Sequence, residues 1–176
     1  MKSVCIKNED GCYKYLCSNG REFIFDKEDL DFFQNTICTV DDRGYVTTNR
    51  KKSLISHVLL GVGNDVVVDH INGNPFDNRR ANLRIASKIQ NHWNYRLSDR
   101  NTTGYKGIYK DKQADKYHAR ICENGKRHYL GVYNSPKEAA LAYDVAARKY
   151  HGAFATLNFP DTKEQGCRSR EVEADG

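Results

Sequence analysis

The sequence predicts an α+β chain with two structured parts: a strand, loop and helix built around Asp69 and His70, then a small three-stranded antiparallel sheet packed on one helix. Three observations carry this reading. Val66, Val67 and Val68 form a β-branched run that stops at a dense turn signal, Asn72-Gly73-Asn74-Pro75. Asn124-Gly125 separates two alternating runs, which is the strongest short hairpin signal. Ser135, Pro136 and Glu138 open a helical pattern that Gly152 closes.

From the N-terminus, Phe23-Ile24-Phe25 reads as a strand and Asp26 as the cap of a short helix through Phe33. Ile37 to Thr48 reads as a hairpin turning at Asp42, Arg43 and Gly44, so residues 1–52 are expected to form a supporting region. The valine strand comes next. Neighbouring residues on a regular strand face opposite sides, so Asp69 and His70 can share a site only where the backbone leaves strand geometry, and the turn signal supplies that break. Ser87 can cap a short helix from about Lys88, with Asn91 in its first turn. Residues 53–97 then form one core, 98–104 a linker, 105–160 a second domain and 161–176 a disordered tail.

In the second domain a type I′ turn at Asn124-Gly125 pairs Glu123 with Lys126. Counting outward sets Cys122 against Arg127, Arg120 against Tyr129 and His118 against Gly131 on one face. Ile121 against His128, Ala119 against Leu130 and Tyr117 against Val132 make the apolar face. The helix that covers it carries Ala139, Ala142, Tyr143, Ala146, Ala147 and Tyr150 as a stripe of small and aromatic residues, and a third strand falls within Gly104 to Lys110.

The chemistry lies in one pattern: Asp69-His70, eleven residues, Asn82, eight residues, Asn91. An oxygen-only Asp and Asn pair suits a hard divalent cation, Mg²⁺ first and Mn²⁺ second, which keeps waters for a substrate phosphate to displace. A histidine beside it has a large neutral fraction at pH 7 and can take a proton from an attacking water. An Asn-rich turn can hold an Asp-His pair for turn reasons alone. Four residues at this spacing, with a strand before and a helix after, outweigh that explanation.

This set resembles the HNH endonucleases, the ββα-metal or His-Me finger nucleases, and especially their phage and intron-encoded homing type, over roughly Ser53 to Tyr95. The resemblance implies that Asp69 and Asn91 bind the metal, His70 activates water and Asn82 braces the loop. His57 matches a structural histidine that precedes the motif. Arg84 either reaches the scissile phosphate or makes a surface ion pair, and His92 is a surface residue. Further on, GYKGIY, NGKRHYLGVY, PKEAALAYDVAARKYHG and LNFP resemble the Apetala-type DNA-binding domain of plant ethylene-response factors, over about Asn101 to Pro160. In that family the sheet enters the major groove. The resemblance implies DNA contacts from Lys106, Tyr109, Lys110, Arg120, Arg127 and Tyr129. Tyr109 and Asp111 stand where base-reading arginines are usual, and Tyr117 and Tyr129 where Trp is usual, so the plant target site does not carry over.

Charge agrees with this division: it is balanced over residues 1–56, +2 over 57–97, +5 over 98–160 and −2 beyond, within a net +5. Positive charge is therefore concentrated where nucleic acid is expected. Six cysteines show no C-x-x-C pair, which argues against zinc and for reduced thiols. With no signal peptide and no long apolar stretch, the expectation is a soluble cytoplasmic protein away from membranes. The sequence thus points to a divalent-metal DNA endonuclease, acting as a monomer without an obligate protein partner and nicking one strand of double-stranded DNA. The alternative is a sequence-specific DNA-binding protein with a vestigial nuclease core.

Overall fold

A computed structural model describes residues 4–7, 11–17, 19–41, 44–49, 53–95, 97 and 101–160. Mixed helices and small antiparallel sheets divide into two compact units, Met1–Arg96 and Leu97–Gly176. Among the described residues no helix is long and apolar enough to cross a membrane. The tail 161–176 lies outside the described residues.

In the first unit, β1 (Val4–Lys7), β2 (Tyr13–Leu16) and β3 (Glu22–Phe25) form an antiparallel sheet. Only β3 was foreseen. A 3-10 turn at Lys27–Asp29 runs into α1 (Leu30–Gln34). Asp26 does not cap it with its side chain, because Asp26 Oδ2 instead accepts from Arg80 N at 2.7 Å. The expected hairpin is present as β4 (Cys38–Val40) and β5 (Val46–Thr48), although Asp42 and Arg43 of its turn lie outside the described residues. Alternate residues of β2 and β3 point inward, so Tyr15, Phe23, Phe25 and Phe33 build an aromatic core, with ring centres of Phe25 and Phe33 4.2 Å apart.

That core continues under the motif. Leu59 of α2 (Ile55–Leu60) and Leu83 belong to it, and the loop after His70 is stitched to β3 by Ile24 N to Phe76 O at 2.8 Å and Asn78 N to Ile24 O at 2.9 Å. β6 (Val67–His70) pairs antiparallel with β7 (Leu83–Ala86), setting Asp69 opposite Arg84 and His70 opposite Leu83. α3 (Lys88–Trp93) follows, with Ser87 and Gln90 in a reciprocal capping box. The strand ends at His70, where the turn signal directly after the pair places its end, and the His70 carbonyl accepts from Gly73 N at 2.8 Å to start the turn.

In the second unit β8 (Ile108–Lys110), β9 (Tyr117–Glu123) and β10 (Lys126–Tyr133) form a sheet in the order β10-β9-β8. Asn124 and Gly125 have φ of 47° and 82°, as a type I′ turn requires. The expected register holds from Lys126 to Tyr129 and then slips. A bulge at Leu130 pairs Gly131 with Ala119, Val132 with His118 and Tyr133 with Tyr117. One extra residue reverses the faces beyond it, so Tyr133 packs on the core and Val132 is 48 % exposed.

α4 (Pro136–His151) covers the sheet, with Ser135 Oγ accepting from Glu138 N at 3.2 Å. Ala139, Tyr143, Ala146 and Ala147 of the expected stripe are buried; Ala140 joins them where Ala142 was expected. Part of the expected linker is folded: Asn101 Oδ1 accepts from Thr103 N and Gly104 N, and Thr103 Oγ1 donates to Ile108 O. Asn and Thr side chains replace the backbone ladder there, so β8 begins only at Ile108.

Candidate active site and nucleic-acid face

Asp69, His70, Asn91, Asn94, Tyr45 and Tyr95, with Gly73 and Pro75, line a cleft of about 220 Å³ across the end of β6. Asp69 and His70 are 4 % and 9 % exposed. They border one cleft because it lies across the strand end and not on one strand face. Asn91 reaches it from α3, and its N–H bonds Ser87 O.

The Asp69 carboxylate is held on both sides. Its Oδ2 accepts from Arg84 Nε at 2.8 Å and pairs with Nη2 at 2.7 Å; its Oδ1 accepts from Asn94 Nδ2 at 2.9 Å. Arg84 is thus in a buried ion pair and not the surface pair considered from sequence, a direct result of the β6–β7 register. Oδ2 already accepts two of these bonds and Oδ1 only one, so they orient Asp69 and leave the second acceptor direction of Oδ1 for a cation. Asn94 was not foreseen. It also donates to His70 O at 2.7 Å and lies three residues after Asn91 on the same helical face, the signal that could have revealed it.

His70 Nε2 lies 3.4 Å from Asn78 Oδ1. Burial pushes the imidazole below its ordinary 6.5, against the Asn78 bond and the nearby Asp69 and Asp77 charges. Asn82 spans the loop: its Oδ1 accepts from Asn72 N at 2.9 Å and its Nδ2 donates to Asp77 O at 2.7 Å. Asp77, 1 % exposed, accepts from Arg79 at 2.8 and 2.6 Å and from Asn72 Nδ2 at 2.8 Å. Arg80 ties the loop outward to Asp29 and to Leu59 O. Asn82→Ala should therefore cost about 2–4 kcal/mol, two buried bonds lost and their partners left unmet, read as a lower urea midpoint.

His57 is buried, with Nε2 2.8 Å from Val66 O, and His92 is exposed, both as anticipated. Among the described residues no three His, Cys, Asp or Glu side chains gather as a metal cluster. The candidate donors are one carboxylate and amide oxygens, a set that fits a hard cation retaining water.

In the second unit the structure brings Tyr109, Arg120 and Tyr129 together on the outer sheet face. The guanidinium of Arg120 lies 4.9 Å from the Tyr109 ring centre, and Arg120 pairs with Tyr129 across β9 and β10. Arg127 is exposed at the turn end of that hairpin. Lys110 is paired with Asp115 at 2.8 Å. Lys106 is partly buried beside Asn158, which accepts from its N–H, and burial pushes its ammonium down to about 8. His118, absent from the expected contacts, sits at the centre of the face.

Comparison with known proteins places these units. Residues 61–93 match the HNH endonuclease family, and residues 103–153 match the AP2 domain. Protein 3.8 of Escherichia phage T7 is 33 % identical over 88 residues, 50 % of this chain and 72 % of that protein. An uncharacterized HNH endonuclease of Acanthamoeba polyphaga mimivirus is 32 % identical over 97 residues, 55 % of this chain and 49 % of its own. An AP2-like ethylene-responsive transcription factor of Arabidopsis thaliana is 35 % identical over 82 residues, 41 % of this chain and 14 % of the factor. The chain belongs to the HNH endonucleases and carries an AP2-type DNA-binding domain. It spans about half the mimivirus protein and a small part of the plant factor.

Proposed function

We propose that this chain is a phage-type homing endonuclease that hydrolyses phosphodiester bonds in double-stranded DNA at a single ββα-metal site, using its AP2-type sheet to hold the substrate. The observation that carries the reading is the shared cleft of Asp69, His70 and Asn91. Asp69 and Asn91 would hold one Mg²⁺ or Mn²⁺, which supplies Lewis-acid stabilisation of the phosphate and leaving oxygen. Arg84, fixed beside Asp69, adds positive charge where the transition state gains negative charge. His70 is the general base. With Nε2–H directed to Asn78 Oδ1, its Nδ1 lone pair is the one that takes the water proton. Asn82 keeps the loop in place, and Lys106, Tyr109, Lys110, Arg120, Arg127 and Tyr129 are the proposed DNA contacts. We place the functional divisions at 53–97 and 105–160, with action as a monomer in the cytoplasm of the host cell.

One cleft can act on one strand at a time, so purified protein with Mg²⁺ should convert supercoiled plasmid to open circle before any linear form appears. His70→Ala should lower that rate by about 10² to 10⁴, the usual contribution of a positioned base. Protonated His70 is inactive and burial holds its pKa below the ordinary imidazole value, so the wild-type rate should rise with pH and level off at a lower pH than a free imidazole would give. DNA binding with no metal-dependent nicking would instead support the binding-only alternative.

A further inference from the structure

The outer face of the second unit's sheet carries a chain of contacts that crosses all three strands. Arg120 stacks on Tyr109. Tyr109 lies parallel to His118, with ring centres 4.9 Å and planes 10° apart. His118 is held at both nitrogens: Nε2 is 3.0 Å from Asp111 Oδ2, and Nδ1 is 3.1 Å from the Tyr129 hydroxyl. Asp111 is itself fixed, because its Oδ1 accepts from Gln113 N at 2.8 Å and Ala114 N at 3.2 Å. The backbone turn therefore sets Asp111, Asp111 sets His118, and His118 sets the ring under Arg120.

An arginine on an open sheet ordinarily samples many rotamers and loses that freedom on binding. A phosphate accepts hydrogen bonds from a wide range of directions and gains little from a fixed guanidinium plane. A guanine edge is different: O6 and N7 lie side by side in the base plane and demand an aligned pair of N–H donors. We propose that His118 is a positioning residue that, through Tyr109, holds Arg120 to read one guanine in the major groove of duplex DNA. The inference rests on the reading that this sheet binds DNA. It assigns base discrimination to Arg120 and gives His118 and Asp111 a role that neither a phosphate contact nor core packing would need.

The test uses the full chain, a randomised duplex library to find its preferred site, and titrations on that site and its single-base variants at several salt concentrations. Wild type should prefer guanine at one position by about 5- to 150-fold. Arg120→Ala should erase the preference at that position alone. His118→Ala should cut the same preference by about fivefold or more with the salt slope unchanged, and His118→Phe, which keeps the stack on Tyr109 but loses the bonds to Asp111 and Tyr129, should recover only part of it. A uniform loss across all sequences with a shallower salt slope in Arg120→Ala would make it a phosphate contact. Full discrimination in His118→Ala beside its loss in Arg120→Ala would remove His118 from the proposal. Wild-type protein that fails to bind duplex DNA would overturn the DNA-binding reading itself, a separate result.

Discussion

Asp69→Ala should reduce metal-dependent cleavage by about 10³-fold or more while leaving DNA affinity within about twofold, because the proposed role of Asp69 as anionic metal ligand is worth several kcal/mol of transition-state stabilisation. The variant also leaves a buried guanidinium: Arg84, with a side chain 17 % exposed, loses the carboxylate that neutralises it. Removing one partner of such a pair costs about 3 kcal/mol, so Asp69→Ala should melt earlier. Asp69→Asn separates the two effects. Its amide oxygen still accepts from Arg84 and the shape is unchanged, but the charge is gone and its amide nitrogen faces the Asn94 donor, so it should melt below wild type and above Asp69→Ala, with cleavage still lost. Gel assays of plasmid nicking beside thermal melts read both quantities, and wild-type rates from Asp69→Asn would remove the metal-ligand role of Asp69.

The parts of this fold legible in the sequence were those whose signal is local. Ser87 and Ser135 cap helices within three residues of themselves, and Asn124-Gly125 dictates its own turn. That Asp69, His70 and Asn91 meet at one cleft was legible because the strand, turn and capped helix that carry them each have a local signal. What escaped reading depends on residues distant in sequence. Asn94 gains its role from the carbonyls of His70 and Ile71, which only the β6–β7 pairing sets in position. Residues 1–52 read as separate support, yet Phe23 and Phe25 share one core with Leu83, and Arg80 bonds Asp29 across 51 positions. The bulge at Leu130 has no composition of its own, and it decided which of Val132 and Tyr133 is buried. His118 looked like one polar residue among several until three strands placed it between Tyr109, Asp111 and Tyr129.

Gly107→Ala should unfold the second unit and leave the first intact. Gly107 has φ of +76°, where an alanine costs about 1–2 kcal/mol, and its new Cβ would fall 2.2 Å from Tyr143 Cδ2 and 2.6 Å from the Arg120 carbonyl oxygen. Neither neighbour can yield cheaply. Tyr143 is buried in the core beneath the sheet, and Arg120 N donates to Gly107 O at 3.0 Å, so a shift in either backbone pulls β9 away from the segment before β8. Overpacking of this kind adds about 1–3 kcal/mol, for a total of about 2–5 kcal/mol. A domain of this size rarely has more stability than that to lose. Amide exchange should accordingly collapse in 105–160 and persist in β2, β3 and β6, and specific DNA affinity should fall by several kcal/mol with slow, unselective nicking retained. Protection retained in β9 and α4, with affinity unchanged, would show that the turn at Gly107 can open without cost to the sheet.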